Sequence, residues 1–287
     1  MIKIYDRENK KIINEEQYGS KLLNILYETV LGRLLIKLFT NPFVSSLLVV
    51  YKKTFLSKRQ VDNLIKKNNI DMSLYENNNY KSFNDFFVRK RLDSKIFVSK
   101  AKDHFISPCD SKLLIYKIND NFVNIKGVKY KISDLIKRDS EFSTYEDGLC
   151  LVFRLSMDDY HRYCFPDNGE IVNTYKINGC LHTVSSISKD YEIYRENKRV
   201  VSFLKTKNFS DMVFIEVGAL LVGKINNHDV CKFKKGDEKG YFSLGGSTIV
   251  IFVQKDILKV DEDIIRNSVN GIETKVKYGE KIGVRIC

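Results

Sequence analysis

Chemistry in this 287-residue chain is most readily sought at Gly245-Gly246-Ser247-Thr248, which opens the β-branched and apolar run Ile249-Val250-Ile251-Phe252-Val253. Gly246 has no Cβ to shield its own carbonyl and can adopt backbone angles closed to other residues. The Gly246–Ser247 peptide bond is therefore open to the Ser247 hydroxyl. Read alone, the same tetrapeptide also makes an ordinary turn and polar strand entry. A serine-hydrolase elbow is excluded by spacing, because Gly-x-Ser-x-Gly would need glycine where Ile249 stands. A hydroxyl nucleophile needs a neighbouring base. The chain has four histidines, at 104, 161, 182 and 228. His161 stands in Asp158-Asp159-Tyr160-His161-Arg162-Tyr163-Cys164, where carboxylates and an arginine can tune an imidazole near neutral pH. Asp110, in Ser107-Pro108-Cys109-Asp110-Ser111, either satisfies backbone amides beside the turn proline or orients an imidazole.

Two other chemistries fail on spacing. His161, Cys164, Cys180 and His182 are zinc-ligating types, but their intervals match no zinc ribbon or finger, and no metal is expected. Gly218 and Gly223-Lys224 approximate a phosphate loop, but Ile225 replaces the required Ser or Thr.

These residues must be held by strands. Ile249–Val253, Leu149–Leu155 and Met212–Val217 read as buried strands, Gly179–Val184 alternates like one, and residues 124–132 read as a hairpin leading to a short helix over Ser133–Lys137. Before about residue 92 the periodicity is helical. Leu23, Leu26, Val30, Leu34 and Leu38 recur at helical spacing until Asn41-Pro42, Phe43–Tyr51 continues the apolar character, and Ser57–Ile70 repeats the helical pattern. Phe83, Phe86 and Phe87 fall on one helical face, as a core anchor would. The expected fold is α+β: a helical, membrane-associating region over 1–91, then an antiparallel β-rich body over 92–287.

Composition narrows the setting. With 43% apolar residues and three prolines, the chain is long enough to bury a substantial core. The six cysteines are scattered without a C-x-x-C pair, as in a reducing compartment, and residues 1–17 lack the marks of a signal peptide. The net charge is +12, and residues 1–60 hold eleven basic against five acidic side chains. Half the excess thus lies in the first fifth of the chain, among apolar helical segments too interrupted by charge to span a bilayer. That combination suits an anionic membrane surface, where each basic residue contributes on the order of 1 kcal/mol. Nucleic acid fits less well, since the aromatics lie within apolar runs and no binding signature occurs.

Five ordered blocks make the reading specific: Phe83–Arg89; Ser107-Pro108-Cys109-Asp110; Asp159-Tyr160-His161-Arg162; Val217-Gly218-Ala219 with Val222-Gly223; and Lys235-Gly236-Asp237-Glu238-Lys239-Gly240-Tyr241-Phe242 through Gly246-Ser247-Thr248. Together, from about Phe83 to Val253, they resemble the phosphatidylserine decarboxylases, and the apolar basic N-terminus resembles that family's membrane-associated helices in character. The resemblance implies a proenzyme in which Ser247 attacks the Gly246 carbonyl and the chain is cut between 246 and 247. Residues 1–246 and 247–287 would stay associated, the second beginning with a pyruvoyl group made from Ser247. The pyruvoyl would form a Schiff base with phosphatidylserine and release carbon dioxide and phosphatidylethanolamine. His161 and Asp110 are the implied base and orienting acid, and His161, ahead of His182, the proton donor to Cα. The expected location is peripheral, on the cytoplasmic face of a membrane; homo-oligomerisation is left open.

The sequence departs from the family where its second histidine often stands three positions after the first: here that residue is Cys164. Either Cys164 or His161 must then serve as the self-cleavage base; an ordinary thiol is mostly protonated at pH 7, which favours His161. Ser111 replaces a glycine often found after the family's Ser-Pro-x-Asp. Arg162, Lys198 and Arg199 are candidates for the headgroup phosphate. Two alternatives remain: a non-catalytic lipid-binding protein of the membrane surface, opposed by the intact Gly246-Ser247 pair, and a pyruvoyl decarboxylase of a soluble amino acid, opposed by the apolar basic N-terminus.

Overall fold

The computed structural model describes residues 2–15, 25–27, 29, 31, 32, 35, 44, 50–76, 79–138, 143–182, 192–219, 224–244 and 247–286. Strands β1 (Ile2–Asp6) and β2 (Lys11–Glu15) come first, followed by helices α1 (Arg59–Asn68) and α2 (Phe83–Phe87). Next are β3 (His104–Ile106), β4 (Ser111–Asn119), β5 (Phe122–Ile125), β6 (Val128–Lys131), α3 (Ile132–Ile136), β7 (Leu149–Leu155), β8 (Arg162–Cys164) and β9 (Gly169–Ile177). Helix α4 (Ile193–Glu196) leads to β10 (Arg199–Thr206), β11 (Asp211–Val217), β12 (Lys224–Asn227), β13 (Lys232–Phe233) and β14 (Glu238–Ser243). The chain ends in β15 (Ser247–Val253), β16 (Leu258–Val260), α5 (Glu262–Val269), β17 (Glu273–Val276) and β18 (Lys281–Arg285).

A 12-stranded sheet dominates, with its main path in the order β13-β9-β10-β11-β15-β7-β4-β17-β1-β2. All its pairings are antiparallel except β1 on β17, so the expected antiparallel β-rich body is present. Strand β15 lies in mid-sheet with all seven residues buried, which is why its sequence is a continuous apolar run rather than an alternation. Two three-stranded sheets accompany it, β12-β14-β8 and β16-β18-β3. Phe83, Phe86 and Phe87 of α2 enter the main core, as their common helical face requires. Ser82 caps that helix by accepting from the Asp85 amide.

The N-terminal region departs from an all-helical reading. Residues 2–15 form a hairpin that extends the main sheet, with Ile4 opposite Glu273 near the other end of the chain. Arg7 at its turn is fastened to Asp261, Asp263 and Glu280 at 2.9, 2.7 and 2.6 Å. Helix α1 confirms the reading of Ser57–Ile70, whereas most of the apolar segments expected over 20–39 and 43–51 lie outside the described residues. Gly179–His182, expected in a strand, makes only a single bridge, Cys180 to Asn197; Thr183 and Val184 lie outside the described residues.

Candidate active site

Ser247 is the first residue of β15, paired with Leu155, the last of β7, while Thr248 pairs with Val217, the last of β11. Three strand ends therefore meet at the serine. The loop leaving β7 reaches His161 within six residues, and the His161 carbonyl accepts from the Phe242 amide at 3.0 Å, five residues before Ser247. Asn197 Nδ2 donates to the carbonyls of Gly218, just after β11, and His182, at 2.7 and 2.8 Å. Topology thus gathers Ser247, His161 and His182 at one end of the sheet. Gly245 and Gly246 lie outside the described residues, as do Val222 and Gly223 of the fourth block. Leu244, just before the glycine pair, is buried with φ of 60°, a conformation that costs a non-glycine residue roughly 1–2 kcal/mol.

Ser247 is fully buried, and its Oγ has no hydrogen-bond partner among the described residues. A buried hydroxyl left unsatisfied costs about 1–3 kcal/mol, so one at a strand mouth calls for a functional reason. The site therefore offers a serine hydroxyl held back from water at the mouth of β15.

His161 is buried, with its ring tilted against Phe87 at a centroid distance of 3.9 Å. Its Nδ1 lies 2.9 Å from the Asp159 carbonyl. A carbonyl only accepts, so Nδ1 carries a proton, and Nε2 is the nitrogen that can act as a base when the ring is neutral. Asp110 does not make the expected hydrogen bond to this imidazole. Its carboxylate pairs with the Arg91 guanidinium and accepts from the Tyr278 amide at 2.8 Å. Arg91 in turn lies over the Tyr160 ring, 4.5 Å from its centroid, so Asp110 acts on the His161 loop at one remove.

Cys164 lies in a separate cluster with Tyr75, Ile106, Tyr160 and Tyr278, and burial pushes its thiol well above the ordinary range. That keeps it from being a base near neutral pH. His182 has its Nδ1 3.4 Å from the Tyr27 hydroxyl, and burial holds its pKa below the ordinary imidazole value. Among the described residues no group of three or more His, Cys, Asp or Glu is arranged to hold a metal ion.

Two of the three phosphate candidates serve the fold. Arg199 is buried and donates to the carbonyls of Leu135, Asp134, Arg195 and Asn197. Arg162 binds Glu238 at 2.8 Å and the carbonyls of Val88 and Arg89. Lys198, half-buried, has its backbone tied to Cys180 and Gly218.

Residues not singled out from sequence complete the site. Phe87 packs on the imidazole, and Arg89 donates to the carbonyls of Asp158 and Asp159 at 2.7 and 3.0 Å, so the Phe83–Arg89 block holds the His161 loop as well as the core. Lys112 and Asp159 form a buried ion pair at 2.7 Å beneath that loop. Burial pushes the Asp159 carboxyl up to about 6 despite the ammonium beside it. A second buried pair, Glu216 with Lys239, lies nearby, its glutamate raised by burial and paired in register with Ile249. In the sequence Phe87 is legible only as a core anchor and a member of the Phe83–Arg89 block, Arg89 only as a member of that block, and Lys112 carries no signal.

A sequence model described as phosphatidylserine decarboxylase matches residues 83–284. The chain is 50% identical over 285 residues to phosphatidylserine decarboxylase proenzyme 2 of Clostridium acetobutylicum, covering 98% of each chain. It is 42% identical over 294 residues to a phosphatidylserine decarboxylase proenzyme of Clostridium botulinum type Ba4, covering 99% of this chain and all of the relative. A third relative, from the type E3 Alaska strain of that species and of the same name, is 38% identical over the full length of both.

Proposed function

The chain belongs to the phosphatidylserine decarboxylase family, and we propose that it makes its own cofactor by cutting itself between Gly246 and Ser247. It is a carboxy-lyase that converts phosphatidylserine to phosphatidylethanolamine. The observation that carries the site assignment is the fully buried Ser247 hydroxyl, without a hydrogen-bond partner among the described residues, at the meeting of three strand ends. His161, with Nδ1 protonated, takes the Ser247 proton on Nε2. The Ser247 oxygen then bonds to the Gly246 carbonyl carbon, and the peptide C–N bond breaks as His161 returns the proton to the departing nitrogen, giving an ester and a free amine on residue 247. Elimination removes the Cα proton of residue 247 to a base and breaks the Cβ–Oγ bond, which leaves Gly246 as a free carboxylate and makes dehydroalanine at 247; hydrolysis of its imine tautomer releases ammonia and leaves the ketone.

A pyruvoyl ketone supplies the electron sink that no amino-acid side chain offers when carbon dioxide leaves. For that reaction the chain provides burial, which excludes water from the carbanion, and His161 as the proton donor to Cα, with His182 as the weaker candidate. Asp110 steadies Arg91 and, through Tyr160, the loop that carries His161.

Peripheral membrane binding belongs to the same proposal. No helix among the described residues is long and apolar enough to cross a membrane. Phe55 is 76% exposed and Leu56 60%, and both lie in sequence between Lys52-Lys53 and Lys58-Arg59, so apolar and basic side chains are offered together. Free thiols at Cys180 and Cys231 fit the cytoplasmic face.

The intact mass of the purified protein beside Ser247→Ala tests the cut. Two fragments from the wild type, the smaller starting at 247 with a ketone in place of its amine, and a whole mutant chain are expected. A folded but uncut wild type would overturn self-processing and favour the lipid-binding alternative.

A further inference from the structure

A group of buried charges lies under the His161 loop and takes no part in the chemistry described above. Lys112 of β4 and Asp159 are both more than nine-tenths buried, with Nζ to Oδ2 at 2.7 Å. The same Oδ2 accepts from the Ser156 amide at 2.6 Å, which closes the loop on itself immediately after β7. Arg154 donates to the Ser156 hydroxyl at 2.9 Å and reaches Glu15 of β2 at 2.6 Å, and that hydroxyl donates back to Glu15 at 2.8 Å. Lys112 also approaches Glu15 at 3.5 Å. Three strands thus grip residues 156–159, and Asp159 joins the grip to the imidazole: its side chain holds Lys112, while its carbonyl holds His161 Nδ1.

Buried ion pairs are weak sources of stability, because desolvation offsets most of their attraction and an apolar replacement is often neutral or better. Stability alone therefore does not account for placing Lys112 and Asp159 here. The geometry points to a different use. We infer that Lys112 and Asp159 are positioning residues, which fix the Asp159 carbonyl where it selects the Nδ1-protonated tautomer of His161 and so turn Nε2 toward its proton-transfer work. Neither is hydrogen-bonded to Ser247, and neither is assigned a bond-making step. The inference rests on the assignment of His161 as the base, but the tautomer can be measured without any turnover.

The test uses the full-length Ser247→Ala chain with 15N-labelled histidine, in which the four histidine signals are separated by a His161→Gln difference spectrum. The Nδ1–H form of His161 should predominate with Lys112 in place, give way to a mixture in Lys112→Met, and return in Lys112→Arg, which keeps the charge. In the self-processing background, Lys112→Met should slow cleavage by at least about tenfold, as expected for a misplaced catalytic group. In whatever enzyme matures, kcat should fall with KM unchanged. Should Lys112→Met not fold, the neutral pair Lys112→Met with Asp159→Asn carries the same test without an uncompensated buried charge. An unchanged His161 tautomer in folded Lys112→Met or in the folded double variant, or a Lys112→Arg chain no better than Lys112→Met, would overturn the inference. A wild type that never cuts would instead overturn the role of Ser247 and leave the tautomer result standing.

Discussion

At the scale of single residues, burial decides which of two neighbours can act. The Asp159 carbonyl takes His161 Nδ1 and leaves Nε2 as the nitrogen that can accept a proton, whereas Cys164, three residues on, is fully buried, and burial disfavours its thiolate. Cys164→Ala is therefore expected to self-cleave within a few-fold of the wild-type rate, and His161→Ala to remain whole, as followed by fragment mass over time. A folded but uncut Cys164→Ala chain would move the base to the thiol. Glu273 yields a prediction in pH. Burial alone would raise its carboxyl, but Arg154 and Lys126 overcome this and hold it down to about 2 against an ordinary 4.5. Its folded value lies below the unfolded one, so its stabilisation is complete above pH 4.5 and lost as pH falls toward 2, about 3 kcal/mol in all. In the uncut Ser247→Ala background, Glu273→Gln should be the less stable chain to urea at pH 6, and the gap should narrow as pH falls below 4.5 and close only toward pH 2. A constant gap would remove Glu273 from the acid response. Ser247 and His161 are legible in the sequence as candidates because each carries its chemistry in its residue type and immediate neighbours. The partner of Asp110 is not, since nothing local shows that Arg91 folds back onto it.

At the scale of elements, what could be read from sequence was what is local. Strands β7, β11 and β15 declare themselves as apolar runs, and α1 and α2 by the spacing of their buried side chains. The β1–β2 hairpin did not, because charges of both signs interrupt its alternation and the strand that fixes it, β17, lies some 270 positions later. Strand β14, which leads into the cut site, depends on a similar non-local fit. Its pairing with β8 shifts register between Glu238 and Gly240, and a Cβ on Gly240 would sit 2.3 Å from the Asn226 carbonyl oxygen of β12. Since that obstacle is backbone, Gly240→Ala must push β12 and β14 apart and displace the approach to residues 245–247. We expect a lower melting temperature together with slower self-cleavage. An unchanged cleavage rate in a destabilised variant would show that β14 does not align the scissile bond.

At the scale of the whole molecule, the proposed cut falls where the fold least permits separation. The 41 residues from 247 onward supply β15 between β7 and β11, β17 between β4 and β1, and β16 and β18 beside β3. Burial of Ile249–Val253 alone contributes on the order of 10 kcal/mol, and the strand's backbone hydrogen bonds would be left unmet on both sides if it withdrew. Cutting the peptide bond costs the fragments their shared tether but none of these contacts. The two pieces of the mature protein should therefore co-elute in size exclusion at micromolar concentration and separate only in denaturant. Residues 1–246 expressed alone, with an open slot in mid-sheet, should fail to reach a soluble native state. Separation of the cut pieces in native buffer would mean that β15 and β17 leave the sheet once the chain is opened, and that the active site is rebuilt after cleavage rather than inherited from the uncut chain.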